Sequence, residues 1–219
     1  MNVIIYGASD FALFLTQKVE AETDMKVIAY VVDDEYHTSD SFNGCPLIPI
    51  SSLCANYNPD SHQMLIAAGY RKMRQRGIMH EKIVSSGFEL MNLISKSAVI
   101  ASNVKMGYGN IVLDSVIIES NTTLGNNNLI WSGGIICHDV HIGHHNYIAP
   151  SVTIGGKTTM MDGSFIGMGC LIADKLNVAN ETLLAAGSLL LKDTLEFSRY
   201  KGRPALCYGT HQEAGIEIL

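Results

Sequence analysis

The chain of 219 residues is poor in the features that mark nucleic-acid-binding, secreted and membrane-spanning proteins. Its 15 basic residues are outnumbered by 21 acidic ones and form no run, which disfavours a nucleic-acid partner. No apolar stretch reaches the roughly 18 residues of a membrane-spanning helix, and the first residues lack the basic start of a signal peptide. The five cysteines are odd in number and scattered, so we expect reduced thiols in a cytoplasmic protein.

The first 90 residues alternate between two hydrophobic patterns. Short apolar runs predict strands at 3–6, 26–32 and 64–68, and helical apolar spacing predicts helices at 11–22 and 72–86. Strands and helices that alternate at this spacing indicate a small parallel α/β sheet.

Ligands of such sheets bind at the carboxyl ends of the strands, so residues 7–11, Asp33, Asp34 and Gly69 should surround one crevice. The turn after the first strand has one glycine where a dinucleotide-binding fingerprint needs three, which argues against NAD or FAD. Two interpretations stay open: backbone amides of this turn hold a phosphate or sugar group, or it is an ordinary strand-to-helix turn.

Aliphatic residues recur at every sixth position of the second half without an insertion. An amphipathic helix repeats near 3.6 residues, so a period of six excludes it and predicts a left-handed parallel β-helix, in which three hexapeptides form a coil of about 18 residues. The repeat comprises seventeen positions: Ile94, Ile100, Met106, Val112, Ile118, Leu124, Ile130, Ile136, Ile142, Ile148, Ile154, Met160, Ile166, Ile172, Val178, Leu184 and Leu190.

The residues around each aliphatic position fit the same prediction. The residue two places earlier is never charged or aromatic, as expected where both side chains point into a narrow interior. Five glycines directly follow an aliphatic position, where we expect a corner to need a permissive backbone: Gly107, Gly125, Gly143, Gly155 and Gly167. The predicted organisation is an α/β domain at 1–90, a β-helix at 91–195 and a C-terminal tail at 196–219.

Four of the eight histidines lie between Cys137 and Tyr147. His138 falls near a corner of the predicted coil, and Gly156 lies one coil further on, which leaves room for a slender group beside the imidazole. Three interpretations compete: a general base for acyl transfer, metal ligands as in hexapeptide carbonic anhydrases, or an exposed polar corner without chemistry. Adjacent strand residues point in opposite directions, so a nucleophilic Cys137 paired with His138 is disfavoured.

Seven segments of the chain carry a family resemblance: 5–9, 30–34, 67–69, 93–98, 138–143, 147–150 and 202–205. On these segments the sequence resembles the PglD/NeuD type of bacterial sugar acetyltransferase along nearly its whole length. The family implies a Rossmann-like N-terminal domain, a left-handed β-helix, a homotrimer and acetyl-CoA as co-substrate. Its acceptor is a nucleotide-linked amino sugar of surface-glycan biosynthesis.

The resemblance also implies roles for individual residues. His138 matches the catalytic base and Asp139 the acidic residue that raises its basicity. The amine of the sugar would attack the thioester directly, with a backbone N–H near Gly156 stabilising the oxyanion. The nucleotide-sugar contacts would be Ser9, Asp10, Phe11, Asp33, Asp34 and Gly69. The acetyl-CoA groove, between subunits, would include Gly156, Ala173 and Ala186.

The sequence departs from the family at several of these places. Ser9, Asp10 and Phe11 replace a glycine- and histidine-rich first loop, and Ser95 replaces a histidine. Trp131 stands where a smaller polar residue is usual, so we expect it to narrow the acceptor pocket or else to pack between subunits. Tyr147 replaces a histidine that holds the acetyl carbonyl, and its hydroxyl offers a substitute donor.

Three other functions stay open. One is O-acetylation of a sialic-acid-like sugar or transfer of another acyl group. The second is a non-enzymatic sugar-nucleotide-binding assembly protein, and the third a zinc hydratase. Our leading expectation includes no metal site.

Overall fold

The computed structural model describes residues 2–212 and 214–218. Met1, Glu213 and Leu219, which belong to the predicted N-terminal domain and C-terminal tail, lie outside the described residues. The first unit is a six-stranded sheet flanked by helices. In chain order its elements are β1 (Asn2–Tyr6), α1 (Asp10–Glu22), β2 (Val27–Val32), β3 (Ser41–Phe42), β4 (Cys45–Pro49), α2 (Leu53–Asn56), β5 (His62–Ile66), α3 (Met73–Ser85) and β6 (Glu89–Leu90), with 3₁₀ turns at Asp34–Tyr36, Ile50–Ser52 and Pro59–Ser61.

The sheet has the strand order β3-β4-β2-β1-β5-β6 and is parallel except for the β3–β4 hairpin. β1 is central, with Ile5 opposite Tyr30 on one side and Leu65 on the other. The three predicted strands and two predicted helices are present, each end displaced by at most two residues. The sequence pattern missed the hairpin, whose strands are short and lack alternation. The carboxyl ends of β1, β2 and β5 meet at one edge.

The second unit is the predicted β-helix, and the predicted fold class is confirmed. Its strands stack in three parallel sheets: face A (β7, β10, β13, β16, β19, β22), face B (β8, β11, β14, β17, β20, β23) and face C (β9, β12, β15, β18, β21). The strands are β7 (Leu93–Ile94), β8 (Val99–Ile100), β9 (Lys105–Met106), β10 (Ile111–Val112), β11 (Ile117–Ile118), β12 (Thr123–Leu124), β13 (Leu129–Ile130), β14 (Ile135–Ile136), β15 (His141–Ile142), β16 (Tyr147–Ile148), β17 (Thr153–Ile154), β18 (Thr159–Met160), β19 (Phe165–Ile166), β20 (Leu171–Ile172), β21 (Asn177–Val178), β22 (Leu183–Leu184) and β23 (Leu189–Leu190).

Neighbouring coils pair residues eighteen apart, as in Ile135 opposite Thr153 and Ile136 opposite Ile154. Each predicted aliphatic position is the second residue of a strand, and all of them from Val112 to Leu190 are buried. Burying one such side chain is worth roughly 1.5–3 kcal/mol, so the stacked interior dominates the stability of this unit. Ile94 is 37% exposed because it lies in the first coil, which has a neighbouring coil on only one side.

The predicted reason for the five glycines after aliphatic positions is wrong. None of them has a positive φ. A Cβ at Gly107 would lie 2.0 Å from Asn126 Oδ1, and one at Gly143 would lie 2.1 Å from Asp162 Oδ1. Glycine is needed there because the next coil passes so close. The left-handed backbone lies instead at the third residue after the aliphatic position, at fourteen consecutive corners from Gly109 (φ 71°) to Gly187 (φ 69°).

The N-terminal domain covers face A. α1 packs on β7, and the shared core joins Leu15 and Val19 to Leu93 and Ile111. Lys18 Nζ binds Asp114 Oδ2 at 2.5 Å across this junction. After β23 the chain forms a hairpin of β24 (Ser198–Lys201) and β25 (Leu206–Thr210), in which β24 pairs with β22 and so extends face A. Among the described residues, no helix has the length and apolar character needed to cross a membrane.

Candidate functional site

His138 and Asp139 form a hydrogen-bonded pair on the corner between faces B and C. The Nδ1 atom of His138 lies 2.8 Å from Asp139 Oδ2, and both side chains are about half exposed. A carboxylate can only accept, so Nδ1 carries the proton in this bond and a neutral imidazole keeps its lone pair on Nε2. The pair therefore presents a proton acceptor to solvent at Nε2.

The pair is held from the preceding coil. The backbone N–H of His138 donates to Glu119 Oε2 at 2.8 Å, and Asn121 Nδ2 donates to Asp139 Oδ1 at 3.1 Å. The hydrogen bond from His138 and, after it, the bond from Asn121 lower the pKa of Asp139. Asp139 is therefore ionised at neutral pH and orients the ring.

Gly156 lies directly over the imidazole in the next coil. A Cβ at this position would be 3.0 Å from both Nε2 and Cε1 of His138, so glycine keeps the face of the proton acceptor open. The predicted use of a backbone N–H near Gly156 for the oxyanion stays a prediction, and two of the amides there already have acceptors. Gly156 N–H donates to Asp174 Oδ1 at 3.0 Å, and Lys157 N–H donates to the His138 carbonyl at 3.0 Å.

A second site opens at the carboxyl edge of the N-terminal sheet. Ser9, Asp10, Phe11, Asp33 and Gly69 all line one cavity of about 1020 Å³, so the structure brings together most of the predicted nucleotide-sugar residues. Ser9 and Asp10 stand at the N-terminus of α1, and Arg71 and Lys72 also line the cavity. The helix N-terminus and the basic side chains favour an anionic group.

The two consecutive aspartates after β2 behave differently. Asp33 accepts a hydrogen bond from the Tyr6 hydroxyl and binds Lys82 Nζ at 2.5 Å, so its carboxylate ties β1 to α3 as well as facing the cavity. Asp34 is not among the lining residues, because Asp34 Oδ1 accepts the Ser51 N–H at 3.1 Å. Hydrogen bonding from the Ser51 side chain, followed by that from its backbone N–H, lowers the pKa of Asp34.

An aromatic layer fills the junction between the N-terminal domain and face A. Trp131 lies 5.7 Å from Phe11 and 5.6 Å from Phe14 of α1, measured between ring centroids. Tyr147 is 4% exposed, and burial raises its pKa to about 12. The layer consists of Phe11, Phe14, Tyr70, Trp131, Tyr147 and Phe165. Trp131 therefore packs against its own N-terminal domain, a contact that the sequence did not suggest.

The structure separates the other predicted residues by corner. Gly156 and Ala173 lie on the corner between faces B and C, with His138. Trp131 and Ala186 follow strands of face A and begin the corner between faces A and B, on the far side of face B. One chain therefore divides the predicted site between two corners of the coil.

The structure gives little support to a metal site or a thiol nucleophile in the segment from Cys137 to Tyr147. Within 2–212 and 214–218 no three histidine, cysteine, aspartate or glutamate side chains are placed to hold a metal ion together. His144 Nδ1 accepts the Asn126 N–H at 2.9 Å, and His145 pairs with Asn127. Burial raises the pKa of the Cys137 thiol, which disfavours a thiolate nucleophile.

Arg76 was missed by the sequence reasoning because a helical arginine usually faces solvent. It is fully buried between α3 and the β-helix. Its Nη1 donates to the Ala68 carbonyl at 2.6 Å and its Nη2 to the Asn127 carbonyl at 2.9 Å. Burial lowers its pKa to about 10. Since Ala68 lines the cavity, Arg76 fixes the end of β5 to the β-helix.

Residues 2–80 match the family model described as the PglD N-terminal domain. No curated protein sequence matches the chain at a significant level. Among solved structures, PerB from Caulobacter crescentus, in complex with CoA and GDP-perosamine, is similar with a TM-score of 0.83 and 24% identity over 95% of this chain and 98% of its own.

Two further structures are similar over comparable lengths. The acetyltransferase domain of PglB from Neisseria gonorrhoeae FA1090, in complex with acetyl coenzyme A, has a TM-score of 0.82 and 20% identity over 94% of this chain and 98% of its own. WeeI from Acinetobacter baumannii AYE has a TM-score of 0.79 and 20% identity, covering 95% and 100%. These similarities confirm the predicted resemblance in fold and domain combination.

Proposed function

We propose that this chain, whose residues 2–80 match the model of the PglD N-terminal domain, is an acetyl-CoA-dependent N-acetyltransferase of a nucleotide-linked amino sugar. The observation that carries the proposal is the His138–Asp139 pair, with Nδ1 bound at 2.8 Å and Nε2 open beneath Gly156. This is the arrangement that a general base needs beside a slender thioester arm.

In the proposed reaction the amine of the sugar attacks the acetyl carbonyl, and His138 Nε2 takes the proton that the amine loses. The thiolate of CoA leaves and accepts a proton. Asp139 stabilises the imidazolium as it forms, because its carboxylate is already bound to Nδ1. No covalent intermediate with the protein is needed. Gly156 N–H would have to leave Asp174 before it could donate to the oxyanion.

The N-terminal cavity is the proposed binding site for the nucleotide part of the acceptor. Ser9, Asp10 and Phe11 would contact it at the start of α1, with Asp33 and Gly69 at the neighbouring strand ends. Asp34 contributes through the turn that it holds with Ser51 rather than from the cavity wall. The similarity to PerB, whose structure contains CoA and GDP-perosamine, supports this pairing of ligands.

The complete site is proposed to form between subunits of a homotrimer. Outward side chains of face C are polar, as at Lys105, His141 and Asn177, whereas those of face B are mainly aliphatic. On face B they are Val99, Ile117, Ile135, Leu171 and Leu189, broken by Thr153. Val99 is 63% exposed in the single chain. A threefold axis beside face B would cover these side chains and leave none of the aliphatic face in water.

Such packing would also join the two corners that border face B. Trp131 and Ala186 of one subunit would approach the partner subunit's His138. Acetyl-CoA would then lie between subunits, along Gly156 and Ala173 on one side and Ala186 on the other, with Tyr147 near the acetyl end. This explains why one chain holds the predicted residues on separate corners.

The test is a panel of UDP-, dTDP- and GDP-linked amino sugars incubated with acetyl-CoA, with products identified by mass spectrometry. We expect a gain of one acetyl group on one acceptor and release of CoA. Hydroxylamine removes O-acetyl but not N-acetyl groups, so it distinguishes sugar O-acetylation. Tight binding of a nucleotide sugar without CoA release from any acceptor would contradict the proposal and favour an assembly protein.

A further inference from the structure

Asp139 is held by a ladder of asparagine side chains that reaches it from two coils away. Asn103 Nδ2 donates to Asn121 Oδ1 at 2.7 Å, and Asn121 Nδ2 donates to Asp139 Oδ1 at 3.1 Å. Asn103 Oδ1 in turn accepts the backbone N–H of Asn121 at 3.1 Å. The three residues lie eighteen apart in sequence, at the same position of successive coils.

The ladder fixes which atom of Asn121 faces the carboxylate. Its Oδ1 is used by Asn103, so its amide nitrogen is directed at Asp139, which can only accept when ionised. The two oxygens of Asp139 are then divided: Oδ1 binds Asn121 and Oδ2 binds His138. Both Asn121 (φ 61°) and Asp139 (φ 57°) have left-handed backbone, which asparagine and aspartate tolerate better than most residues.

The hydrogen bond from Asn121 matters because the Asp139 side chain is partly exposed to water. The Asp139 side chain is 40% exposed, and an exposed carboxylate with one hydrogen bond turns readily toward water. The bond from Asn121 restricts rotation of the carboxyl plane and stabilises the anion. It thereby keeps Oδ2 in line with Nδ1 of His138.

We propose that Asn121 is a positioning residue for the His138–Asp139 pair: its amide locks the Asp139 carboxylate and thereby keeps the proton of the neutral imidazole on Nδ1. This inference rests on the proposed function, in which Nε2 of His138 is the base. Asn121 touches neither substrate nor CoA in this scheme. It acts only through Asp139.

The test compares Asn121→Gly with Asn103→Ala. Glycine tolerates a φ of 61°, so the first variant removes the donor without adding backbone strain. The second variant removes the hydrogen bonds between the Asn103 side chain and Asn121, and it leaves the Asn121 amide able to bind Asp139. Thermal melting of both variants checks that the trimer and the fold are kept.

We expect Asn121→Gly to lower kcat about 3- to 10-fold, the effect of losing one partly exposed hydrogen bond, with KM for acetyl-CoA unchanged. The acidic limb of kcat against pH should move to lower pH, since the imidazolium loses part of its stabilisation. Asn103→Ala should change kcat by less than about 2-fold, because the bond to Asp139 remains.

Nitrogen-15 NMR of the His138 ring provides a readout that needs no substrate. The unaltered protein should show the neutral ring protonated on Nδ1, and Asn121→Gly should shift it toward the Nε2–H form. An unchanged tautomer and unchanged kcat in Asn121→Gly would overturn the inference while leaving the proposed function intact. If no acceptor is acetylated by the unaltered protein, the proposed function fails, and the NMR comparison alone decides the role of Asn121.

Discussion

Gly156 lies one coil beyond His138, and a Cβ added to it would stand 3.0 Å from Nε2 of the imidazole. The absence of a side chain at Gly156 therefore keeps this atom accessible. No other residue could occupy it without crowding the atom that is proposed to take the proton.

Replacing Gly156 with Ala should lower kcat about 10-fold or more, because the methyl group pushes the imidazole or the thioester out of line. The backbone of Gly156 has no positive φ, so alanine adds no conformational strain and thermal stability should stay within a few degrees. Gly169→Ala is unsuitable as a control because its φ is 65°. Gly209→Ala, where nothing lies within 4 Å, is the matched change, and it should leave kcat unaltered. Equal activity of both variants would show that the space over His138 is not used.

Replacing Asp139 with Asn should reduce kcat less than loss of His138 does. Asparagine has nearly the shape of aspartate and also tolerates a φ of 57°, but it lacks the negative charge that stabilises the imidazolium. We expect a loss of about 10- to 100-fold with acetyl-CoA binding retained. Steady-state kinetics with calorimetric titration of acetyl-CoA measures both. A loss confined to acetyl-CoA affinity would place Asp139 in the CoA groove instead of beside the base.

Trp131→Asn tests the proposed role of the indole in the acceptor pocket. Its rings contact Phe11, which also lines the nucleotide cavity, so we expect the ratios of kcat/KM across the sugar panel to change. The variant should also melt earlier, because it loses packing between α1 and face A. Phe14→Leu is the control: Phe14 contacts Trp131 but does not line the cavity, so it should lower stability and leave the ratios alone. If the kcat/KM ratios of Trp131→Asn equal those of Phe14→Leu, Trp131 does not shape the acceptor pocket.

Ile117→Lys tests the trimer through face B. Ile117 points outward and is 38% exposed in the single chain, so burying a lysine there would cost the assembly several kcal/mol. Light scattering should give three times 23.8 kDa for the unaltered protein and a smaller mass for the variant. Thr159→Lys introduces a lysine at the equivalent outward position of face C, and this variant should keep the trimer. A monomeric unaltered protein would contradict the shared site.

His145 should make the fold sensitive to acid. Burial, followed by the charges of His80, Arg76 and His144, lowers the pKa of His145 from 6.5 to about 4, while Asp162 opposes this. Between pH 6.5 and pH 4 the unfolded chain binds a proton that the folded chain does not, so stability falls as the pH drops through that window and levels off below it.

The expected loss is on the order of 1–2 kcal/mol once partial solvation of the ring is allowed for. His145→Asn keeps a residue that tolerates a φ of 61° and removes the titration. Its melting temperature should fall less between pH 7 and pH 4 than that of the unaltered protein. If the melting temperatures of the two proteins fall in parallel with pH, His145 does not contribute to the acid sensitivity.

The β-helix is almost completely predictable from the sequence, because a period of six is a local property of the chain. Residues such as Ile136 and Ile154 can be paired from their spacing alone, since eighteen residues make one coil. The reason for Gly107 and Gly143 cannot be found that way, because the close approach of Asn126 and Asp162 depends on how the coils stack. The division at 1–90, 91–195 and 196–219 stays a prediction.

The candidate site is predictable only in part. His138 and Asp139 are adjacent in the chain, so their hydrogen bond follows from one corner, and the cavity follows from the order of β1, β2 and β5. The docking of α1 on face A joins residues over a hundred positions apart and has no periodic signal. The contact of Trp131 with Phe11 depends on that docking, and the burial of Arg76 depends on the approach of α3 to Asn127.

The most direct test of the central claim is turnover by His138→Ala with the acceptor found in the sugar panel. The proposed mechanism predicts a fall in kcat of about 10²- to 10⁴-fold, the usual contribution of a general base, with the Kd for acetyl-CoA within a few-fold of the unaltered protein. A His138→Ala protein that acetylates the same acceptor at a kcat near that of the unaltered protein would contradict the assignment of His138 as the base.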